Sequence, residues 1–326
     1  MEDNKFYTSY TKMDTYKECP QKYKYKYIEK LDSKAKKRSL YVGTHIHKLI
    51  ELFYIRRNKE LVNARVEAYN NFMMNELNQK KLNFLAHKKM KELEDLVNFE
   101  TEVKKQEYQD LIAEIGIATE KDFINMVKCT IETRNTCKEL MYDTFTWREY
   151  LITAIKEDYM NLSETDKAEM GLNYLEDLAR IMAQYEYYYT NDKIEVIDIE
   201  HDKECGLGEF NSKDVILNYI CDGIVKLPNT KIYMLEHKTF SKDPMSFEDT
   251  WLNTQTALYI SALRAQVYIL EGVLWDNIKS IPPSKPNILK NGNYGKQYGT
   301  VTLFSFINID TILQGAGEVI IVLLYA

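Results

Sequence analysis

The sequence predicts an α/β protein that carries a large helical insertion. Residues 59–190 are rich in Glu, Lys, Leu, Met and Asn, and they contain no proline and only two glycines. This composition is typical of several consecutive helices. From Ile194 the pattern changes to alternating apolar and polar residues, which indicates strands. We therefore assign residues 1–58 and 191–326 to an α/β core and residues 59–190 to a helical insertion.

Helix signals dominate the N-terminal segment. Residues 8–11 offer several hydroxyls for an N-cap, so a helix is predicted over residues 12–19. Pro20 suits the first turn of a second helix. Residues 22–27 alternate lysine and tyrosine, which is the period of a strand, but the flanking helix signals favour a helix here.

An amphipathic helix is predicted over residues 40–57. Its apolar side chains recur at spacings of three, four and seven, at Ile46, Leu49, Ile50 and Phe53. Such a stripe is expected to face the protein core.

The C-terminal half is predicted to contain four strands and one helix. The strands cover residues 194–200, 215–227, 232–238 and 301–307. Turns are predicted at Gly206 with Gly208 and at residues 228–230, a helix at residues 249–274, and a loop at residues 281–286.

Composition and charge restrict the class of protein. The five cysteines include no CxxC pair, which argues against zinc ribbons and a disulfide framework and favours a reducing cytosol. The polar N-terminus has no signal-peptide core, and no apolar run reaches the roughly 20 residues that span a bilayer. The net charge is −6, yet residues 1–38 carry eleven Lys/Arg against six Asp/Glu. From charge alone a solvated lysine-rich helix face is the simpler interpretation, and a phosphate-binding surface is the alternative.

The residues most informative about chemistry are Asp222 and the run Glu236-His237-Lys238. Glu236 and Lys238 share one face of a predicted strand, and His237 points to the other face. Asp222 shares the face of Glu236 only if the hairpin between them has a bulge or an odd loop, such as residues 228–230. A two-residue turn would place Asp222 opposite His237, on the wrong face.

Two carboxylates and a lysine in this arrangement suit metal-dependent hydrolysis of a phosphodiester. Carboxylate oxygens favour Mg²⁺ or Mn²⁺, which lower the pKa of a bound water. Lys238 would hold or deprotonate that water and stabilise the developing negative charge. The alternative is an exposed salt bridge, because Glu-x-Lys pairs are common by chance.

His47 is a further candidate metal ligand. It lies beside the buried stripe of its helix, one turn after Gly43, which permits close approach to the sheet. One alternative is a core histidine paired with Glu51. The other is a zinc chelate with His45, which is disfavoured because side chains two apart on a helix point away from each other.

Two further groups are candidates for contacts with nucleic acid. Gln255 and Tyr259 share a helix face and could orient a lysine or contact a phosphate or base, although a polar helix edge is the alternative. Tyrosines interleave with Lys22, Lys24 and Lys26, a composition that suits single-stranded nucleic acid. The alternative is that these tyrosines pack beneath the lysines.

The order of these motifs resembles the PD-(D/E)XK nuclease superfamily. More narrowly, it resembles the RecB-type branch, which includes stand-alone phage and bacterial exonucleases and CRISPR adaptation nucleases. The matching motifs are Ser9-x-Thr11 with Cys19-Pro20, Gly43-x-x-x-His47, Asp222, Glu236-x-Lys238 and Gln255-x-x-x-Tyr259. The resemblance covers residues 8–51 and 194–263. It implies a restriction-endonuclease-like core, in which helices flank a mixed central sheet.

Residue roles can be carried over from this resemblance. The implied catalytic residues are Asp222, Glu236 and Lys238. The implied ligands of Mg²⁺ or Mn²⁺ are His47, Asp222, Glu236 and the carbonyl of His237. The residues implied to support the lysine and contact DNA are Gln255 and Tyr259.

An iron–sulfur cluster is not expected. Many members of the branch hold a cluster through the cysteine of the Cys-Pro motif and three cysteines near the C-terminus. Cys19 matches the first, but no cysteine follows Cys221, so we expect Cys19 to be a buried residue. Cys221 itself stands where the family name has proline, a position that varies in this branch.

The resemblance implies a metal-dependent DNA exonuclease. Its expected substrates are single- or double-stranded DNA ends, and its setting is phage or bacterial recombination and repair, with a recombination partner protein. We expect a cytoplasmic location and no membrane association. A catalytically inactive DNA-binding or partner subunit is the alternative, and a nuclease acting on RNA is a third option. The presence of His47, Asp222, Glu236 and Lys238 together favours the enzyme.

Overall fold

The computed structural model describes residues 5–31, 38–75, 78–79, 120–241, 253–266, 268–282 and 303–308. The chain divides into two compact units, one formed by Met1–Asn58 with Thr146–Ala326 and the other by Lys59–Phe145. Residues 146–190, which the sequence analysis assigned to the insertion, pack with the first unit. The division into functional domains stays a prediction.

A mixed sheet forms the centre of the first unit. The strands described are β1 Lys5–Thr8, β2 Glu195–Phe210, β3 Lys213–Lys226, β4 Ile232–Phe240, β5 Leu270–Lys279 and β6 Leu303–Asn308. They lie in the order β1-β3-β4-β5-β6, and β2 also pairs with β3. The pairs β1–β3 and β4–β5 are parallel, and the others are antiparallel. The predicted α/β class with a mixed sheet flanked by helices is confirmed.

Helices occur in both units. Those of the first unit are α1 Tyr10–Glu18, α2 Pro20–Tyr23, α3 Arg38–Ile55, α6 Trp147–Tyr150, α7 Lys156–Met160, α8 Glu164–Met170, α9 Tyr174–Tyr189 and α10 Thr254–Ala265. Two π-helical turns, Lys24–Ile28 and Leu151–Ile155, continue α2 and α6. The second unit contains α4 Lys59–Met74 and α5 Glu120–Asp143. Within the described ranges, none of the helices is both long and apolar enough to cross a membrane.

Helices α3 and α10 both pack against the sheet. Along β3, Leu217, Tyr219 and Cys221 are buried in one core cluster with residues of α10. Asp222 instead lines a cleft together with Gly43, Thr44 and His47 of α3. Helix α3 contacts β2 and β4, and its predicted apolar stripe is buried as expected.

The predicted N-terminal helices are confirmed, but the first of them begins at Tyr10 rather than at residue 12. Helix α1 begins after Ser9, whose hydroxyl accepts a hydrogen bond from the Lys12 amide at 3.3 Å. Residues 22–27 are helical, so the strand alternative is wrong. Strand β1 was not predicted, because its four residues are largely exposed and show no alternation.

The turn that leads into β3 corrects the prediction at Gly206 and Gly208. Both glycines lie inside β2, where the pairing with β3 is irregular. The turn is made by Asn211 and Ser212, with φ of 49° and 58°, the left-handed values that a two-residue hairpin turn requires. Gly208 has φ of 118°, and a glycine inside a strand marks a bulge as readily as a turn.

The predicted helix over residues 249–274 is also corrected. Helix α10 ends at Ala265, and β5 follows from Leu270. β5 lies between β4 and β6 and is buried along nearly its whole length. A strand buried on both faces has a continuous apolar sequence, which periodicity cannot distinguish from a buried helix. Residues 249–252 of this prediction, and 283–286 of the predicted loop, lie outside the described residues.

The β3–β4 hairpin has the odd loop that a shared face for Asp222 and Glu236 requires. Lys226 pairs with Ile232, and the Leu227 amide then donates to the Lys231 carbonyl at 3.1 Å. Residues 228–230 form the turn between them. This prediction is confirmed.

Replacing Thr230 by glycine is expected to raise the free energy of unfolding by about 0.5–1 kcal/mol. Thr230 ends the hairpin turn with φ of 66°, a conformation in which a β-branched side chain is strained. Chemical denaturation measures the change. Thr230→Ala keeps the Cβ and is expected to gain much less, so equal gains in both variants would contradict this explanation.

Candidate metal centre

Asp222 lies opposite an acidic residue on each of the two neighbouring strands. The register of β2 against β3 places Glu200 opposite Asp222, because the residues on either side are paired. The last pair between β3 and β4 is Gly223 with Leu235, and the same register one residue further places Glu236 opposite Asp222. Directly opposed residues of antiparallel strands carry their side chains on one face.

The backbone pairing of β3 with β4 ends just before these carboxylates. Oδ2 of Asp222 accepts a hydrogen bond from the His237 amide at 2.5 Å. The Asp222 side chain thus takes the place of a backbone acceptor at the point where the β3–β4 ladder ends. β4 remains paired with β5 as far as Phe240, so at this level β5 and the Asp222 carboxylate hold the strand.

Helix α3 brings His47 to the carboxylates. Its Nδ1 lies 3.7 Å from Oδ1 of Asp222, and its ring packs edge-on against His237 with centroids 6.0 Å apart. A Cβ added at Gly43 would lie 3.1 Å from Oγ1 of Thr239. A side chain at this position would therefore require Thr239 to shift by a few tenths of an ångström.

Three side chains offer donor atoms to one cation. The donor atoms of His47, Glu200 and Asp222 all lie within 4.8 Å of one another. Among the described residues this group does not include Glu236, whose role as a ligand stays a prediction. The three side chains of the group line a cleft of about 540 Å³ between α3 and the sheet. One imidazole nitrogen with two carboxylates suits Mn²⁺, and also Mg²⁺ when water completes the coordination. These residues therefore fit a divalent cation.

Glu200 is a candidate ligand that the sequence analysis missed. Which residue of β2 opposes Asp222 depends on the position of the β2–β3 turn, and the predicted turn at Gly206 and Gly208 gives a different register. Glu200 also has φ of 44°, which is uncommon for a residue with a side chain and is not visible in the sequence. The available signal was an acidic residue at the end of the predicted strand 194–200.

Burial and mutual repulsion change the proton affinity of the carboxylates. Burial, followed by the charge of Asp222, raises the pKa of Glu200 to about 9 and the pKa of Glu236 to about 7. Burial also acts to raise the pKa of Asp222, but the hydrogen bond and charge of His47 and the charge of His237 outweigh it and lower this pKa. Without a cation, the cluster therefore holds protons that separate carboxylates would release.

Lys238 completes the cluster on β4. Its Nζ donates to Oε1 of Glu236 at 2.5 Å and lies 5.9 Å from the centroid of the Trp275 ring. Burial acts to lower the pKa of Lys238, but the charge and hydrogen bond of Glu236 raise it by more. Lys238 is thus a protonated donor beside the carboxylates at neutral pH.

Gln255 and Tyr259 form a hydrogen-bonded pair near Lys238. Nε2 of Gln255 donates to the Tyr259 hydroxyl at 3.1 Å. The Tyr259 ring is 6% exposed and packs against Tyr219, so it is not free to stack on a base. Burial raises the pKa of the Tyr259 hydroxyl, and the nearby charge of Glu236 acts in the same direction. Their contact with DNA stays a prediction.

Lys22, Lys24 and Lys26, the candidates for contact with DNA, are exposed. Lys22 and Lys24 form ion pairs with neighbouring glutamates at 2.6 and 3.4 Å, and Lys26 lies 5.2 Å from the centroid of a tyrosine ring. Exposed ion pairs contribute little and exchange readily, so the lysines are accessible to a phosphate. Their role in DNA binding stays a prediction. Cys19, expected to be buried, is half-buried.

The core-histidine alternative describes His45 rather than His47. Nδ1 of His45 lies 2.7 Å from the Tyr174 hydroxyl in the protein interior, so His45 is the core histidine. Within the described residues, the donor group that contains His47 does not include His45, so the zinc chelate is not formed. Glu51 forms an ion pair with Lys48 at 2.7 Å.

Comparison with known proteins bears on the same residues. Residues 7–132 match the family model of the PD-(D/E)XK nuclease superfamily. The matched range contains Gly43 and His47, whereas Asp222, Glu236 and Lys238 lie beyond it. The mixed sheet flanked by helices is consistent with the restriction-endonuclease-like fold of this superfamily. Together these findings support a metal-dependent nuclease.

Two other comparisons add little. A solved structure titled "Crystal structure of SSO0001" is 12% identical and covers 53% of this chain and 69% of that chain, with a TM-score of 0.22. This score is too low to carry an argument. No curated protein matches the chain.

Replacing Gly43 by valine is expected to weaken Mn²⁺ binding on the order of tenfold. The added methyl groups would meet Thr239 and displace α3 from β4, and this would move His47 away from Asp222. Titration followed by the electron paramagnetic resonance of free Mn²⁺ measures the affinity. Adding Thr239→Ala to the variant relieves the contact and is expected to restore part of the affinity. Wild-type binding by the valine variant would contradict this prediction.

Proposed function

We propose that this protein is a metal-dependent DNA exonuclease that hydrolyses phosphodiester bonds at the centre around Asp222. The observation that carries the proposal is the position of Asp222, which contacts His47 and opposes Glu200 and Glu236 on neighbouring strands. The family match over residues 7–132 supports nuclease chemistry. The exonuclease mode and the cytoplasmic setting in phage or bacterial recombination and repair follow from the motif resemblance.

The side chains divide into those that hold the cation and those that act on the reacting groups. The proposed ligands are His47, Glu200, Asp222, Glu236 and the carbonyl of His237. A bound Mg²⁺ or Mn²⁺ supplies charge neutralisation at the phosphate and lowers the pKa of water. The ligand set alone does not choose between these two metals, because both accept oxygen ligands.

Lys238 is the proposed catalytic cation. Its hydrogen bond to Glu236 holds the ammonium group beside that carboxylate. From there it is placed to orient the attacking water and to stabilise negative charge that develops on the phosphate. The pair of Gln255 and Tyr259 is proposed to support this lysine, since the Tyr259 hydroxyl is close enough to contribute to the raised pKa of Lys238.

The test is degradation of end-labelled DNA. Single- and double-stranded DNA labelled at the 5′ or the 3′ end, and RNA of the same sequence, are incubated with Mg²⁺ or Mn²⁺. We expect stepwise shortening of DNA that requires the metal. Asp222→Asn is expected to lower the rate about 1,000-fold or more. Asp214→Asn, an exposed position on the same strand, is the matched control and is expected to retain activity.

The outcomes separate the candidate functions. Degradation that Asp222→Asn does not affect would contradict the proposed site. DNA binding by the wild type without degradation under any metal condition would favour the inactive binding or partner subunit. Preferential degradation of RNA would replace DNA as the substrate. The end at which nucleotides are released gives the polarity of the exonuclease.

A further inference from the structure

A buried carboxylate outside the proposed ligand set lies next to the site. Asp276 on β5 is fully buried, with 0% of its surface exposed. Burying an ionised carboxylate is strongly unfavourable unless donors surround it. In the described part of the chain no lysine or arginine pairs with Asp276, and the basic side chain beside it is the imidazole of His237.

Three donors from two elements satisfy this carboxylate. The Tyr185 hydroxyl on α9 donates to Oδ2 at 2.7 Å, and the Tyr189 hydroxyl, one turn later, lies 3.5 Å from Oδ1. Nδ1 of His237 lies 2.9 Å from Oδ2. Because a carboxylate only accepts, Nδ1 of His237 must carry the proton. The network joins α9 to β4 through β5.

His237 is the residue between the two catalytic candidates of β4. It is paired in register with Asp276 on β5, and its backbone amide donates to Asp222. The ladder between β3 and β4 has already ended at Gly223 with Leu235. The side chain of His237 therefore holds the β4 backbone where β4 is no longer paired with β3.

We propose that Asp276 is a positioning residue for the proposed metal centre and that Tyr185 supports it. Asp276 fixes the ring of His237, and the ring fixes the backbone that carries Glu236 and Lys238 and that donates to Asp222. Helix α9 is thereby part of the catalytic apparatus, although its sequence lies in the predicted insertion. This inference rests on the proposed function.

Two substitutions test the network with little change of shape. Asp276→Asn removes the charge that orients His237, and Tyr185→Phe removes one hydroxyl that orients Asp276. Tyr174→Phe is the matched control, because Tyr174 is an equally buried tyrosine of α9 whose hydroxyl contacts a different histidine, His45. All three variants are expected to lose stability, so stability alone does not distinguish them.

Metal affinity and the division between kcat and KM distinguish positioning from a purely structural role. Asp276→Asn is expected to weaken Mn²⁺ binding to the metal-free protein about tenfold. It is also expected to lower kcat about 10- to 100-fold at saturating metal, because small displacements of reacting groups have large effects on rate. KM for DNA is expected to change less than about twofold. Tyr185→Phe should show the same pattern more weakly, and Tyr174→Phe should show neither effect.

The possible results distinguish failure of this inference from failure of the proposed function. Wild-type Mn²⁺ affinity and kcat in folded Asp276→Asn and Tyr185→Phe would overturn the inference and leave the proposed function intact. Equal losses in Tyr185→Phe and Tyr174→Phe would also overturn it, since the effect would then come from stability. If Asp276→Asn does not fold, Tyr185→Phe against Tyr174→Phe carries the test. Absence of Mn²⁺ binding and cleavage in the wild type would overturn the proposed function and the inference together.

Discussion

Lys238→Gln is expected to lower kcat about 100- to 1,000-fold while Mn²⁺ binding stays within a few-fold of wild type. Glutamine retains an N–H donor for Glu236 but lacks the positive charge that stabilises the developing phosphate charge. Because Lys238 is not a proposed ligand, its loss should separate catalysis from metal binding. Single-turnover degradation of labelled DNA gives the rate, and Mn²⁺ titration gives the affinity.

Lys203→Gln provides a matched control for this substitution. Lys203 is also a largely buried lysine of the sheet, and its Nζ lies 2.5 Å from a carboxylate oxygen of Asp198. Its replacement is expected to lower stability and to retain kcat. Equal loss of activity in both variants would show that Lys238 acts through the stability of the sheet. Unchanged activity in Lys238→Gln would remove its catalytic role.

Glu200→Gln is expected to make the metal-free protein more stable at pH 8 and to abolish most of its stabilisation by Mn²⁺. The gain at pH 8 should be on the order of 3 kcal/mol, or roughly 5–10 °C in Tm. Metal at a hundred times its Kd stabilises the wild type by about 2.7 kcal/mol, and the variant loses a ligand for it. Thermal unfolding across pH, with and without Mn²⁺, measures both effects.

The sign of this effect follows from the direction of the pKa shift. The ordinary pKa of Glu200 is 4.5 and the folded protein raises it to about 9, chiefly through burial and the charge of Asp222. Between these values the folded state binds a proton that the unfolded chain has released. The metal-free wild type therefore loses stability as the pH rises through this interval. Glu200→Gln removes the contribution of Glu200 to this dependence of stability on pH. At pH 4 to 5 the two proteins should have nearly equal stability.

Glu195→Gln on the same strand serves as the control. Glu195 is exposed and forms an ion pair with Lys226 at 3.2 Å, so its replacement should leave both the pH dependence and the Mn²⁺ effect unchanged. A Glu200→Gln variant that is less stable than wild type at pH 8, or that retains the full Mn²⁺ effect, would contradict the assignment of Glu200 as a ligand.

Local sequence patterns were sufficient to predict the elements whose structure depends only on nearby residues. The stripe from Ile46 to Phe53 predicted the buried face of α3, because helical periodicity depends only on residues within a few turns. The parity of the loop at residues 228–230 predicted the shared face of Asp222 and Glu236, because a hairpin register depends only on the residues between its strands. The resemblance then placed His47 with them, and the structure brings His47 to 3.7 Å from Asp222.

Longer-range relations were not accessible in this way. The register of Glu200 depends on a turn made by Asn211 and Ser212, two residues that must both adopt left-handed conformations. The first half of β5, residues 270–274, was predicted as the end of a helix, because a strand buried on both faces lacks alternation. Asp276 lies in the second half of that strand, where no element was predicted, so nothing in the sequence indicated that it pairs with His237.

The sequence by itself determined the α/β class, the face of α3 and the hairpin that carries Asp222, Glu236 and Lys238. Only the tertiary structure decided which further acidic residues join them. Glu200 reaches Asp222 across the β2–β3 ladder, and Asp276 reaches His237 across a parallel pair whose strands are connected through α10. The physical reason is that local periodicity sets which face a residue occupies, whereas strand register and order set which residues meet on that face.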